Sequence, residues 1–187
     1  MRASGVERYH NEPGVPSQLL GQHTWRVMAI LLTVWPDSSR NLMYATQFHD
    51  APGEGLTGDI PAPIKWGDKL LKEKIDAMDS MYAHEVVGIL EVDLEPFEVA
   101  RMKCADYLEL ADYCSNYYTP AANRIMKLGL KAVISYGASL PAADAKAMAR
   151  YMKSCVPKWV DSLIGRSGAK QFSSDIHDAI SELNSRG

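Results

Sequence analysis

In HTWRVMAILLTVW, residues 23–35, apolar side chains recur at helical spacing and Pro36-Asp37 closes the run. Trp25, Met28, Ala29, Leu32 and Trp35 share one broad apolar face, which reads as core. The same period returns along most of the chain, with stretches punctuated by Pro or Gly. Nothing alternates polar and apolar convincingly enough to be a strand. A chain patterned in this way has to bury helix faces against one another, so the expected class is all-α.

The boundaries follow from breakers and caps. Asp37-Ser38-Ser39 can cap a second helix over 39–49, which ends near Pro52-Gly53. Pro61 and Pro63 exclude a central strand and lead into a helix over 64–85, with Lys69, Lys72, Glu73 and Lys74 on a solvated face. A helix over 97–117 offers Val99, Met102, Ala105, Tyr107, Leu110 and Ala111 for packing. Thr119-Pro120 breaks it, and the helical pattern resumes over 121–134 and again over 142–163, with a bend expected at Pro157. Gly165 to Gly168 forms a joint before a short C-terminal helix. The expectation is a single domain over 1–187, a bundle of about six or seven helices.

Composition excludes several function classes. The 187 residues carry 20 Lys and Arg against 23 Asp and Glu, a net charge of -3, so no global field attracts a nucleic acid polymer or an acidic membrane. Any anionic ligand has to be held by a local cluster of cations. Cys104, Cys114 and Cys155 are an odd set without CxxC spacing, which suggests free thiols rather than disulfides or a zinc ribbon. No run approaches the ~18 apolar residues of a membrane span, and the first residues lack the apolar stretch of a signal peptide. The expected location is the cytoplasm, with no membrane partner.

The polar residues fall into an order with chemical meaning. His23 lies near the start of one helix, His49-Asp50 at the end of the next, and Asp106 within a later helix that is otherwise packable. Helices joined by a short loop run antiparallel, which brings His23 and His49-Asp50 to the same end of a bundle. Taken singly, each has a plain structural reading: a helix-entry His, a turn Asp, a satisfied Asp on a half-buried face.

Together, H...HD...D resembles the metal-binding pattern of the HD-domain phosphohydrolases. The resemblance implies that His23, His49, Asp50 and Asp106 hold a divalent ion. Asp106 is preferred to Asp112 because it stands in KCAD, which is similar to the K-x-A-D of the family's last motif. The segment TGDIPAPIKW, residues 57–66, resembles the T-G-D-[LI]-P-x-P-[VI]-K run of bacterial 5'-deoxynucleotidases and of short phage HD enzymes, including dATP triphosphohydrolases. In that group an Arg-aromatic pair precedes the first His by fifteen residues, as Arg8-Tyr9 precedes His23 here. Gln22 and Tyr9 depart from the family's frequent Glu and Trp.

The resemblance implies an HD-domain enzyme that hydrolyses deoxyribonucleotides at the 5' α-phosphate. The outcome is either dNMP to deoxynucleoside and phosphate, or dNTP, notably dATP, to deoxynucleoside and triphosphate. Glu54 would be the catalytic acid/base, with Asp50 bridging metal and nucleophile. Arg8 and Lys65 would hold phosphate, Asp59 would orient the sugar or the cations, and Tyr9 would close on the sugar. Mixed His and Asp ligands suit Co, Mn, Zn, Fe or Ni, with Mg as a second ion. Family members form dimers or hexamers, so a homo-oligomer is implied, in the host cytoplasm if the chain is phage-encoded. The alternative is a non-catalytic nucleotide-binding or regulatory HD module. A second dipeptide, His177-Asp178, has no TGD run after it and reads as structural.

Overall fold

The computed structural model describes residues 5–9, 13–50, 67–82, 84–85, 94–117, 119–161 and 169–185. Among them, a two-stranded ribbon precedes seven helices: β1 (Glu7–Arg8), β2 (Gln18–Leu19), α1 (Leu20–Val34), α2 (Arg40–Phe48), α3 (Lys69–Tyr82), α4 (Pro96–Cys114), α5 (Pro120–Gly137), α6 (Ala142–Asp161) and α7 (Ala169–Ser185). The all-α class expected from the periodicity is the class observed. The ribbon corrects the expectation of no strand, since strands of two residues are too short to show a period.

Local chemistry sets the helix starts. Ser39 is the N-cap of α2 and accepts from the Leu42 amide at 3.1 Å. Thr119 caps α5 in the same way through the Ala122 amide, with Pro120 in the first turn where its missing N–H costs nothing. At α4, Glu95 and Glu98 form a reciprocal capping box. Each such cap contributes on the order of 1 kcal/mol.

Helix α4 is the centre of the bundle and packs on α1, α2, α5 and α6, while α7 closes against α5 and α6. One contiguous core runs from Val15 to Leu183 and includes Leu31, Leu42, Met102, Leu108, Met126, Met148, Met152 and Trp159. Burying a side chain such as Leu108 contributes about 1.5–3 kcal/mol. The α4–α5 pair meets closely at Gly129, where an added Cβ would stand 3.1 Å from the Tyr107 carbonyl oxygen. Among the described residues, no helix is long and apolar enough to cross a membrane.

Three core expectations on α1 are corrected, since Trp25, Ala29 and Leu32 are all exposed. Trp25 is 69 % exposed and Leu32 39 % exposed. The face that α1 buries is Leu20, His23, Thr24, Val27, Ile30, Leu31 and Val34. It is rotated from the most apolar stripe so that a histidine points into the bundle.

Candidate metal centre

Three helices bring the site together. His23, in the first turn of α1, is fully buried. His49 and Asp50 follow the last turn of α2, and Asp106 lies in the middle of α4. The short α1–α2 connection returns the chain to the same end of the bundle, and α4 crosses beneath both helices.

One donor atom from each of His23, His49, Asp50 and Asp106 lies within 4.8 Å of the others. His23 Nε2 stands 3.2 Å from Asp50 Oδ2 and 3.3 Å from Asp106 Oδ1. His49 Nε2 stands 3.4 Å from Asp50 Oδ1 and 3.6 Å from Asp106 Oδ1. The first three of these separations fall within the roughly 3.0–3.4 Å between neighbouring donors around an ion bound at about 2.1 Å, and the 3.6 Å one lies just outside it.

Hydrogen bonding supports the fit more sharply than distance. His23 Nε2, His49 Nε2 and Asp50 Oδ2 are buried without a hydrogen-bond partner, although an orphaned buried polar atom ordinarily costs about 1–3 kcal/mol. Both imidazoles have their other nitrogen engaged. His49 Nδ1 donates to the Thr46 carbonyl oxygen at 2.8 Å, and His23 Nδ1 meets Glu109 Oε2 at 2.7 Å. A carbonyl oxygen can only accept, so the Nδ1 of His49 carries the proton and the Nε2 of the neutral ring presents a lone pair. Two inward imidazole lone pairs and two carboxylates form a donor set suited to a divalent cation.

Without an ion the four groups hold one another by charge. Burial opposes a charged His23 most strongly, and Arg8 adds to that opposition. The carboxylates of Asp106, Asp50 and Glu109 outweigh both and hold its pKa well above the ordinary value. His49 is raised in the same sense, against burial, by Asp50 and Asp106. Burial pushes the acids up, yet the His49 and Arg8 charges lower Asp50, and the two histidines lower Asp106 well below the usual carboxylate range.

The raised histidines contribute stability that is complete below their unfolded value of about 6.5 and is lost as pH rises through the folded value. The depressed aspartates contribute stability that is complete above about 3.9 and is lost as pH falls through the folded value. For the ion-free protein both contributions are complete between about pH 4 and 6.5. A bound cation replaces the imidazole protons, so protons compete with it. The rise in melting temperature on adding Mn or Co should therefore grow from pH 5.5 to 8; a rise that shrinks with pH would show that the imidazoles do not ligate.

Arg8 and Tyr9 stand beside this cluster. The ribbon pairs Glu7 with Leu19 and Arg8 with Gln18, and Leu20 N–H donates to the Val6 carbonyl oxygen at 2.8 Å. Arg8 Nη2 comes 3.7 Å from Asp50 Oδ2. Tyr9 has φ 64°, a left-handed conformation that costs a residue other than glycine about 1–2 kcal/mol. Its ring stacks on Tyr113 at 5.7 Å, and the Tyr113 hydroxyl donates to the carbonyl oxygens of Pro16 and Ser17. Strain held by packing in this way is common beside functional sites.

Glu54, Asp59 and Lys65 lie outside the described residues, as does His10. Asp112 is turned away from the cluster and pairs with Arg26 Nη2 at 2.7 Å and Lys158 Nζ at 2.8 Å. Arg26 is thus an ion-pair partner, as its position on α1 suggests. His177 and Asp178 are exposed on α7. His177→Ala should leave Mn or Co affinity within about twofold and stability within about 0.5 kcal/mol. Loss of metal binding there would mean that the other HD pair is the one that ligates.

Sequence reasoning missed Glu109 and Gln18, which back the cluster from behind. Glu109 sits three residues after Asp106 on the same face of α4, and that helical spacing is the signal that could have found it. The chain matches no family model, no curated protein and no solved structure.

Proposed function

We propose that this chain is a metal-dependent phosphohydrolase of deoxyribonucleotides that hydrolyses the ester at the 5' α-phosphate. The observation that carries the reading is the inward-facing His23, His49, Asp50, Asp106 set, with its buried unpartnered Nε2 atoms and the Arg8 guanidinium against Asp50. A donor set that includes two imidazoles favours Mn, Co, Fe, Ni or Zn over Mg. When bound, such an ion polarises a phosphoryl oxygen and lowers the pKa of water.

The chain's own residues supply the rest. Arg8, 3.7 Å from Asp50, is within reach of a phosphate oxygen near the cluster and can engage it through its planar fork. Tyr9, with its ring backed by Tyr113, offers a flat apolar wall for a deoxyribose. Burial raises the Tyr9 pKa well above the usual phenol range despite the neighbouring Arg8 charge, so the wall stays neutral. In the reaction a water oxygen bonds to the α-phosphorus, the bond to O5' breaks, and O5' gains a proton. The resemblance assigns the water's proton to Glu54, and assigns Asp59 and Lys65 to the sugar and phosphate end.

Product analysis with Mn and with Co, over all dNMPs, dNTPs and their ribose counterparts, tests the proposal. Phosphate from dNMPs alone would identify a 5'-deoxynucleotidase, and triphosphate with a nucleoside from one dNTP a triphosphohydrolase. Metal bound without turnover of any substrate would refute hydrolysis and leave a nucleotide-binding module.

A further inference from the structure

We infer that Glu109 is a positioning residue for the metal centre, holding His23 by its Nδ1 so that the Nε2 lone pair faces Asp50 and Asp106. The inference rests on reading the four-residue cluster as a metal site. Glu109 and His23 are both 0 % exposed, and their 2.7 Å contact joins residues 86 apart in the chain. Glu109 Oε1 accepts from Gln18 Nε2 at 2.8 Å, and Arg26 Nε lies 3.2 Å from the same oxygen. As a carboxylate Glu109 can only accept, and the Gln18 and Arg26 donors on Oε1 suit that form.

An acceptor at Nδ1 sets the tautomer. A neutral His23 that donates from Nδ1 must carry its lone pair on Nε2, the atom left without a hydrogen-bond partner. The second imidazole is oriented differently, by the Thr46 backbone carbonyl, which substitution cannot remove. Glu109 is therefore the side chain through which ligand orientation can be tested. Gln18 gives it a further connection. Gln18 is the ribbon partner of Arg8, so the strand pair that sets Arg8 against Asp50 also secures the carboxylate behind His23.

Glu109→Gln separates positioning from plain structural support. The single amide oxygen can serve either His23 or the Gln18 and Arg26 donors, but not both sides. If the amide nitrogen turns to His23, the ring has to accept at Nδ1 and its proton moves to Nε2. Calorimetric titration with Mn and Co should show affinity 10–100-fold below wild type, the range usual for outer partners of metal ligands. The metal-free melting temperature should fall as well, because one buried donor loses its acceptor. A carboxylate that served only the fold would lower that temperature and leave affinity unchanged, and affinity within twofold of wild type overturns the inference.

If Glu109→Gln does not fold, proton NMR of Co-loaded wild-type protein decides the matter. Two exchangeable, paramagnetically shifted imidazole N–H signals are expected, one for the Nδ1 of each histidine, and a missing His23 signal overturns the inference. Wild-type protein that binds neither metal would bring down the metal reading itself. Metal bound equally by wild type and variant would bring down this inference alone.

Discussion

Asp106→Ala is expected to weaken Mn or Co binding by more than about 100-fold, beyond the 10–100-fold typical of outer-sphere substitutions, and to remove metal-supported hydrolysis with it. The reason is position. Asp106 Oδ1 approaches both imidazoles, at 3.3 Å from His23 Nε2 and 3.6 Å from His49 Nε2. Its removal takes away a donor and half of the negative charge that Asp50 and Asp106 set against a cation. The fold should survive, because the surrounding α4 residues Met102, Ala105 and Leu108 keep their packing. Asp112→Ala is the matched control: its carboxylate serves Arg26 and Lys158, and metal affinity should stay within about tenfold, below the loss from removing a ligand. Calorimetric titration of both variants, with circular dichroism to check folding, measures the contrast. Equal affinity in wild type and Asp106→Ala would dismantle the proposed ligand set.

Local rules made much of this legible in the sequence. The 3.6-residue period located the helices, Ser39 marked one start, Thr119-Pro120 marked the break before another helix, and the His23, His49-Asp50 and Asp106 order matched residues that the fold brings within 4.8 Å. Long-range relations were not legible. Trp25 looked like core because it is large and apolar, but hydrophobicity does not fix which face of a helix turns inward once a His has to be buried. The sequence pattern did not single out Glu109. Its role depends on Gln18, 91 residues away, which reaches it from a two-residue strand with no detectable period. A buried polar network is defined by its partners, and one-dimensional pattern does not carry the pairing.

Arg101→Met should be the most destabilising of the substitutions considered, by about 3–5 kcal/mol. Arg101 on α4 forks onto Asp144 in the first turn of α6, Nε to Oδ2 and Nη2 to Oδ1, both at 2.8 Å. Its guanidinium also lies 5.8 Å from the Trp35 ring centroid and 5.4 Å from that of Phe97. Methionine retains much of the side-chain volume but leaves Asp144, 8 % exposed, without its cation. The start of α6 offsets this little, since a helix N-terminus stabilises a carboxylate by only about 0.3–1 kcal/mol. At about 2–4 °C per kcal/mol for a chain of this size, melting should fall by roughly 6–20 °C. Replacing Asp144 with Leu in the same protein should recover much of the loss, because most of the cost is an uncompensated buried charge rather than a missing attraction. Metal affinity, measured below the lowered transition, should stay near wild type, which separates this brace from the residues around His23. Melting within about 2 °C of wild type would show that water or Asp37 relieves Asp144, and that the α4–α6 contact depends on its apolar packing alone.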